Sequence, residues 1–542
     1  MISIEEGLDI YFPLDLKPRK QQIEMLNFAK KSINSGKRFI LLNAPVGSGK
    51  SFFVSMLANW YRNFVSTSHD TKFDVITNSK ILQAQYKNDF EFMSDLKGQS
   101  NYKCIRHKTD CHTGKEMNKA LKQLKCGSCP YDAAKESWVA GDISLTNFHL
   151  YNSFAFYVRE TLEKRSSNVL IIDEAHDFES TFCNFITIKL SARILKNYGF
   201  EDNEIEKYER KFNHINTVGQ FINFLNKDFM PRVVELKQEL EISIGEMTET
   251  KIKEIYAKYV IYIEESQERL DSFLNDYEKN EYNWIIDTTK DKHGNIEIIM
   301  QPIWGYPYLN DVIYSLYDHI IFMSGTILDK EIFSFINGID PELADYQEID
   351  SNFPIENRQI YFIDCGKMSY EKKKETFKRQ IPIIEKILKK YKNEKGIIHT
   401  TNYEISNWIK ENIKDKRLIF HDSDDREDML EKHLKNKKSS VIVSPSMSSG
   451  LDLKDELSRF QIIMKIPFPN LSSNRIKARK DSNPESYKIK TCQDLIQSYG
   501  RIVRSEVDYG DTFILDSNFK DLLRYSRKYM PKYFIDAIKN LT

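Results

Sequence analysis

The run Leu41-Leu42-Asn43-Ala44-Pro45-Val46-Gly47-Ser48-Gly49-Lys50-Ser51 passes from an apolar stretch into Phe52, Val54, Met56 and Leu57, which repeat at helical spacing. A strand, a glycine-rich loop and a helix in that order make a phosphate site. Glycines let backbone N–H groups close on phosphate oxygens, and the helix N-terminus adds the positive end of its dipole. In such a loop the cradle is Ala44 to Gly49, Lys50 bridges the β- and γ-phosphates, and Ser51 ligates Mg²⁺. A second set is Asn168-Val169-Leu170-Ile171-Ile172-Asp173-Glu174-Ala175-His176. A buried strand ending in two carboxylates presents both at its carboxyl end, where ligands of α/β sheets bind. Asp173 is expected to hold Mg²⁺ and Glu174 to polarise the attacking water as general base. Each motif alone is a weak signal; together they point to nucleoside triphosphate hydrolysis.

Four of the seven cysteines form a third set, Cys104-x6-Cys111-x14-Cys126-x2-Cys129. Clustered thiols in a chain with no visible signal peptide read as a metal or cluster site rather than a disulfide framework. Zinc and iron–sulfur centres both take four thiolates, and spacing alone leaves both open. His107 and His112 lie nearby, and the simplest reading makes them solvated side chains of a basic loop. Cys183, Cys365 and Cys492 read as small buried residues.

These residues need sheets to position them. Phe39–Leu42, Val75–Thr77, Val169–Ile172, Ile320–Met323, Gly396–His399, Val441–Ser444 and Phe513–Leu515 are short apolar runs, most followed by helical periodicity. That alternation predicts parallel α/β sheets. The runs divide into a set before about residue 330 and a set after about 355, which predicts two lobes. From about 191 to 295 charged residues alternate with apolar ones at i, i+3 and i+4, as between Lys251 and Lys279, which predicts long amphipathic helices inserted in the first lobe.

Composition sets the outer bounds. The chain has 542 residues, 41% apolar and 29% charged, and no apolar run long enough to span a bilayer. Lysine plus arginine and aspartate plus glutamate both total 79, so the net charge is zero. Taken whole, that balance argues against a phosphate-rich partner. Locally it does not: residues 103–125 hold seven basic and two acidic side chains.

The two nucleotide motifs, with the spelling Asp-Glu-Ala-His, resemble those of superfamily 2 helicases, and further segments resemble the XPD/DinG family of iron–sulfur helicases. Lys17-Pro18-Arg19-Lys20-Gln21-Gln22 resembles that family's N-terminal element, which implies ATP contacts from Arg19 and adenine reading by Gln22. Thr77-Asn78 resembles a strand-and-loop motif that touches the DNA backbone, and Ser324-Gly325-Thr326 the motif coupling hydrolysis to movement. Lys395 to Thr401, with His399 and Thr400, resembles the entry to the second lobe. Gly450-Leu451-Asp452-Leu453 resembles a nucleotide- and DNA-contacting loop, with Ser449 where the family usually has Glu. Gln497 to Arg504 resembles the last motif, which makes Gln497, Arg501 and Arg504 catalytic. Gly98 to Cys104 and Cys129-Pro130-Tyr131 resemble the flanks of the family's cluster cysteines and tip Cys104, Cys111, Cys126 and Cys129 toward a [4Fe–4S] cluster, with zinc as the alternative.

The resemblance implies an α/β chain with two RecA-like parallel-sheet motor lobes. The expected first lobe is 1–99, 136–190 and 296–330; a four-cysteine insertion is 100–135, an arch-like helical insertion 191–295, and the second lobe 331–542. It implies a DEAH-box ATPase using ATP and Mg²⁺, moving 5′→3′ on single-stranded DNA and opening junctions at a cluster-braced wedge. A monomer in a bacterial or viral-host cytosol, with no membrane contact, is the expected setting. The alternative is an ATP-driven translocase that removes R-loops or proteins, or acts on RNA. A metal-sensing adaptor with a vestigial nucleotide site is disfavoured by the intact Lys50, Asp173, Glu174, Arg501 and Arg504.

Overall fold

The computed structural model describes residues 17–66, 71–124, 126–290, 294–422, 424–446 and 453–539. All seven expected apolar runs fall on strands, with Leu515 just past the end of its own, and these strands divide between two seven-stranded parallel sheets. The first has the order Ala344–Glu348, Phe39–Asn43, His319–Ser324, Val169–Asp173, Phe73–Thr77, Ile143–Asn147, Ser94–Asp95. The second has the order Leu418–Phe420, Val441–Ser444, Gly396–His399, Phe460–Ile463, Asp511–Ile514, Ile360–Phe362, Ile538–Lys539. The central strands are buried along their whole length. Helices cover both faces, which is why these strands read as continuous apolar runs rather than alternating ones. Both are RecA-like motor lobes.

Two boundaries differ from expectation. Ala344–Glu348 pairs in parallel with Phe39–Asn43, so the first lobe extends past residue 330 to about 349. This edge strand, Ala-Asp-Tyr-Gln-Glu, is largely polar because one side is open, and that hides it from an apolar search. The expected helical insertion also has a sheet at its root. Ile188–Ser191, Ile296–Pro302 and Trp284–Lys290 form a three-stranded antiparallel sheet, with Ile296–Pro302 in the middle.

The rest of the insertion is helical. Its longest helix, Thr250–Asn280, buries Ala257, Val260, Ile261, Ile263, Leu270 and Phe273 along one stripe, the face required of an amphipathic helix. That stripe packs on Met230–Glu246 and on the helix Cys111–Ala120 of the cysteine segment. Lys119 joins the two insertions with an ion pair to Glu264 at 2.5 Å. No helix among the described residues is long and apolar enough to cross a membrane.

Candidate active site and cysteine module

Parallel register brings three loops to one edge of the first sheet. Asn43 is opposite Ser324, and Asp173 is opposite Met323, so Ser324-Gly325-Thr326 lies between the phosphate loop and the acid pair. Gly47 and Gly49 have φ of +80° and +82°, the left-handed region that side chains disfavour. Each also has a neighbour in place of a side chain: a Cβ on Gly47 would lie 2.3 Å from Phe353, and one on Gly49 2.2 Å from the Gln22 amide. Gly49 caps the helix Lys50–Phe64, which points that helix's free N–H groups at the loop. Lys50 Nζ donates to the Ala44 carbonyl at 3.2 Å, Ser48 Oγ donates to the Pro45 carbonyl at 2.8 Å, and Val46, Lys50 and Ser51 line a cleft of about 510 Å³. Arg19 donates to the Gly47 carbonyl at 2.5 Å. Gln22 accepts from the Arg19 N–H at 2.7 Å and donates to the Gly49 carbonyl at 3.3 Å. Gln22 also lines the cleft.

Asp173 ends its strand with 3% of its surface exposed. Its carboxylate accepts from Tyr86 Oη and from the Glu174 N–H, both at 2.9 Å. Burial pushes its carboxyl up to about 6, with the Lys50 ammonium acting against that rise. Glu174 has φ +55°, a left-handed residue at the turn out of the strand, and lines the same cleft. Ser51 and Asp173 are hard oxygen donors beside Lys50, the donor set a Mg²⁺–nucleotide complex takes.

The wall opposite comes from the second lobe. Lys454, Gln497, Arg501 and Arg504 face the cleft. Gln497 Nε2 donates to Thr326 Oγ1 at 2.9 Å, and Arg501 donates to Gln497 Oε1 at 2.9 Å. Gln493, one turn earlier, donates to the Thr326 carbonyl at 2.9 Å. On the first lobe, His176 Nδ1 is 2.8 Å from Ser324 Oγ and 3.4 Å from Glu174 Oε2; Ser324 Oγ accepts from the Thr326 N–H at 3.1 Å. Polar contacts thus run from the acid pair through His176, Ser324, Thr326 and Gln497 to Arg501. His176 and Gln493 were not singled out from sequence, although His176 stands in the quoted motif.

Other expected contacts lie elsewhere. The Thr77 side chain is fully buried and donates to the Ser79 carbonyl at 3.1 Å. Asn78 lines the nucleotide cleft and donates to Asp177 at 3.1 Å. His399 and Thr400 are buried in the second lobe, bonded to Gln461 at 3.2 Å and Ser406 at 2.7 Å. Thr77 and His399 end central strands and, with Thr400, are buried in this conformation. Gly325 packs against Ala44 and Pro45. Asp452 lies outside the described residues.

Local turns bring Cys104 and Cys129 beside Cys111. Lys103 bridges Asp110, and Cys111 N–H donates to the Tyr102 carbonyl at 2.8 Å, which closes Cys104 onto Cys111. Asp110 caps the helix Cys111–Ala120, and Cys129 is the N-cap of Pro130–Ala140. Two thiols therefore sit at helix N-termini. Burial, and then its thiol neighbours Cys129 and Cys104, push Cys111 up to about 11. The Cys104 sulfur accepts from His107 N–H at 3.4 Å and that of Cys126 from Asn118 Nδ2 at 3.5 Å. His107 Nε2 lies 2.9 Å from Asn118 Oδ1. A Cβ at Gly114 would lie 2.5 Å from Cys104 Sγ. N–H groups aimed at the sulfurs of Cys104 and Cys126 and a glycine that leaves room for Cys104 suit thiolate ligands, while among the described residues no three of the sulfurs lie close enough together to share a single ion. Tyr102 and Tyr131 pack edge to face at 5.7 Å, with Tyr131 buried, so they belong to the module's core.

Comparison with known proteins adds relatives across the chain. Residues 384–539 match a helicase C-terminal domain and residues 15–210 match the res subunit of type III restriction enzymes. The chain is 22% identical to a probable ATP-dependent helicase of Methanocaldococcus jannaschii, over 93% of this chain and 92% of the relative. It is also 22% identical to an ATP-dependent DNA helicase of Vanderwaltozyma polyspora, over 72% of this chain and 56% of that one. Among solved structures, an XPD helicase superposes with a TM-score of 0.65 at 18% identity, covering 95% of this chain and 98% of the other. The Xpd4 of S. tokodaii does so with a TM-score of 0.57 at 15% identity, covering 97% and 100%.

Proposed function

We propose that this chain is an ATP-dependent helicase of the XPD/DinG-like branch of superfamily 2 that uses a DEAH-box site to walk 5′→3′ on single-stranded DNA and parts duplex junctions at its cysteine module. The observation that carries the reading is the continuous contact from Glu174 and His176 through Ser324 and Thr326 to Gln497 and Arg501, which makes the catalytic wall of each lobe sense the other.

In this reading the loop from Ala44 to Gly49 holds the phosphates by backbone N–H groups, and Lys50 leaves the Ala44 carbonyl to bridge the β- and γ-phosphates. Glu174 orients the attacking water and takes its proton. Arg501 and Arg504 meet the charge spreading over the γ-phosphoryl oxygens from the second lobe. Ser51 and Asp173 would hold Mg²⁺, which supplies charge neutralisation on the β and γ oxygens when bound. Loss of the γ-phosphate removes what the arginines grip, so Gln497 and Thr326 report each turnover to the lobe interface. A strand lying across both lobes is then advanced by opening and closing.

Cys104, Cys111, Cys126 and Cys129 would hold a [4Fe–4S] cluster, whose four-point attachment supplies rigidity to the module when bound. Lys103, Arg106, Lys108 and Lys122 are exposed around it and offer a basic edge to phosphates. The experiment compares ATP hydrolysis with no nucleic acid, single-stranded DNA and RNA of the same sequence, then unwinding of 5′- and 3′-tailed duplexes. Stimulation by DNA and opening of 5′-tailed substrates support the reading; indifference to DNA overturns it.

A further inference from the structure

Tyr86 is a fully buried phenol beside Asp173, an oxygen ligand of the proposed metal site. Its hydroxyl donates to Asp173 Oδ2 at 2.9 Å, and the Glu174 N–H donates to the other carboxylate oxygen, Oδ1, also at 2.9 Å. These two donors fix both oxygens of the carboxylate and leave their remaining lone pairs for a cation.

The ring is itself held in place. Tyr86 lies on the helix Lys80–Asp89, capped by Ser79. Three residues earlier, on the same face, Gln83 donates to the Leu96 carbonyl at 2.8 Å and accepts from Asn147 at 3.1 Å. Both Gln83 and Tyr86 have no exposed surface, which leaves the hydroxyl little freedom to leave Asp173.

We propose that Tyr86 is a positioning residue for the metal: its hydroxyl fixes the carboxylate of Asp173 toward the cation. This rests on reading Ser51 and Asp173 as the metal ligands.

Mn²⁺ serves as the probe, followed by its paramagnetic resonance signal as the full-length chain is titrated in the presence of a non-hydrolysable ATP analogue. Lys50→Ala sets the baseline for analogue-bound Mn²⁺ in solution. Tyr86→Phe keeps the ring and removes the hydroxyl. The expected result is Mn²⁺ affinity weakened about tenfold, the size of a lost hydrogen bond to a charged group, with metal-free analogue affinity unchanged. A structural defect would weaken both. If Tyr86→Phe does not fold, Tyr86→Met fills similar volume without a donor and takes its place. Mn²⁺ affinity within twofold of wild type in a folded variant overturns the assignment. Wild type without analogue-dependent Mn²⁺ binding overturns the metal-site reading beneath it, a separate and recognisable failure.

Discussion

Gln497 of the second lobe donates to Thr326 Oγ1 of the first at 2.9 Å, while its carbonyl oxygen accepts from Arg501 at 2.9 Å. One amide thus ties an arginine of the nucleotide cleft to the motif that lies between the phosphate loop and the acid pair. Gln497→Ala removes both bonds and leaves Gln493 at the interface. A hydrogen bond to a charged group contributes about 1.5–3 kcal/mol, so DNA-stimulated hydrolysis is expected to fall at least about tenfold. Lys50→Ala should abolish hydrolysis altogether, which steady-state phosphate release measures on both variants.

Gly114 gives the cysteine module a test in which stability and metal content part. Alanine raises helix propensity there by about 1 kcal/mol, yet its Cβ would lie 2.5 Å from Cys104 Sγ. Gly114→Ala is expected to lose metal without losing fold, as Cys126→Ser should. Iron and zinc analysis of anaerobically purified protein, beside a melting curve, reads both quantities. Basal ATP hydrolysis should survive in each variant better than unwinding does.

Two second-lobe histidines give a pH signature. Burial, and then the nearby charges of Arg501 and Lys395 respectively, hold His399 and His433 down at about 4, against partial support from Gln461 and the Leu457 carbonyl. The unfolded imidazole titrates near 6.5, so between those values the unfolded chain binds more protons. Their contribution is intact above pH 6.5 and is lost as pH falls toward 4, by about 3 kcal/mol for each residue at most. His399→Gln with His433→Gln is expected to narrow the difference in melting temperature between pH 7.5 and pH 5.

A second inter-lobe contact tests buried charge. Arg479 of the second lobe pairs with the buried Glu179 of the first at 2.6 Å and lies over the Trp304 ring at 4.5 Å. Glu179 also accepts from the Gly305 N–H at 2.6 Å, and Arg479, with Arg475, helps hold its carboxyl below the usual range despite burial. Arg479→Ala strands that carboxylate, at a cost of about 3–5 kcal/mol. Glu179→Gln added to Arg479→Met should recover most of the loss in thermal melts.

The phosphate loop, the acid pair and seven strands were legible because each is written locally. Gly47, Gly49 and Lys50 are adjacent, and a fully buried strand such as Val169–Asp173 shows its environment in every residue. The four cysteines were legible as a set, but not how Asp110, Pro130 and Gly114 bring them together. Ala344–Glu348 was missed because an edge strand can be polar. Tyr86 was missed because nothing nearby in sequence separates a buried core tyrosine from one bonded to Asp173; strand order alone puts it there. The burial of Thr77, at the end of a central strand, was hidden in the same way.

The most direct test of the central claim is ATP hydrolysis by the metal-loaded chain with and without single-stranded DNA, run beside strand separation on 5′-tailed and 3′-tailed duplexes. The expected result is hydrolysis that rises with single-stranded DNA, disappears in Lys50→Ala, and separates strands only from the 5′ tail. Hydrolysis that ignores DNA, or strand separation that persists in Lys50→Ala, would contradict it.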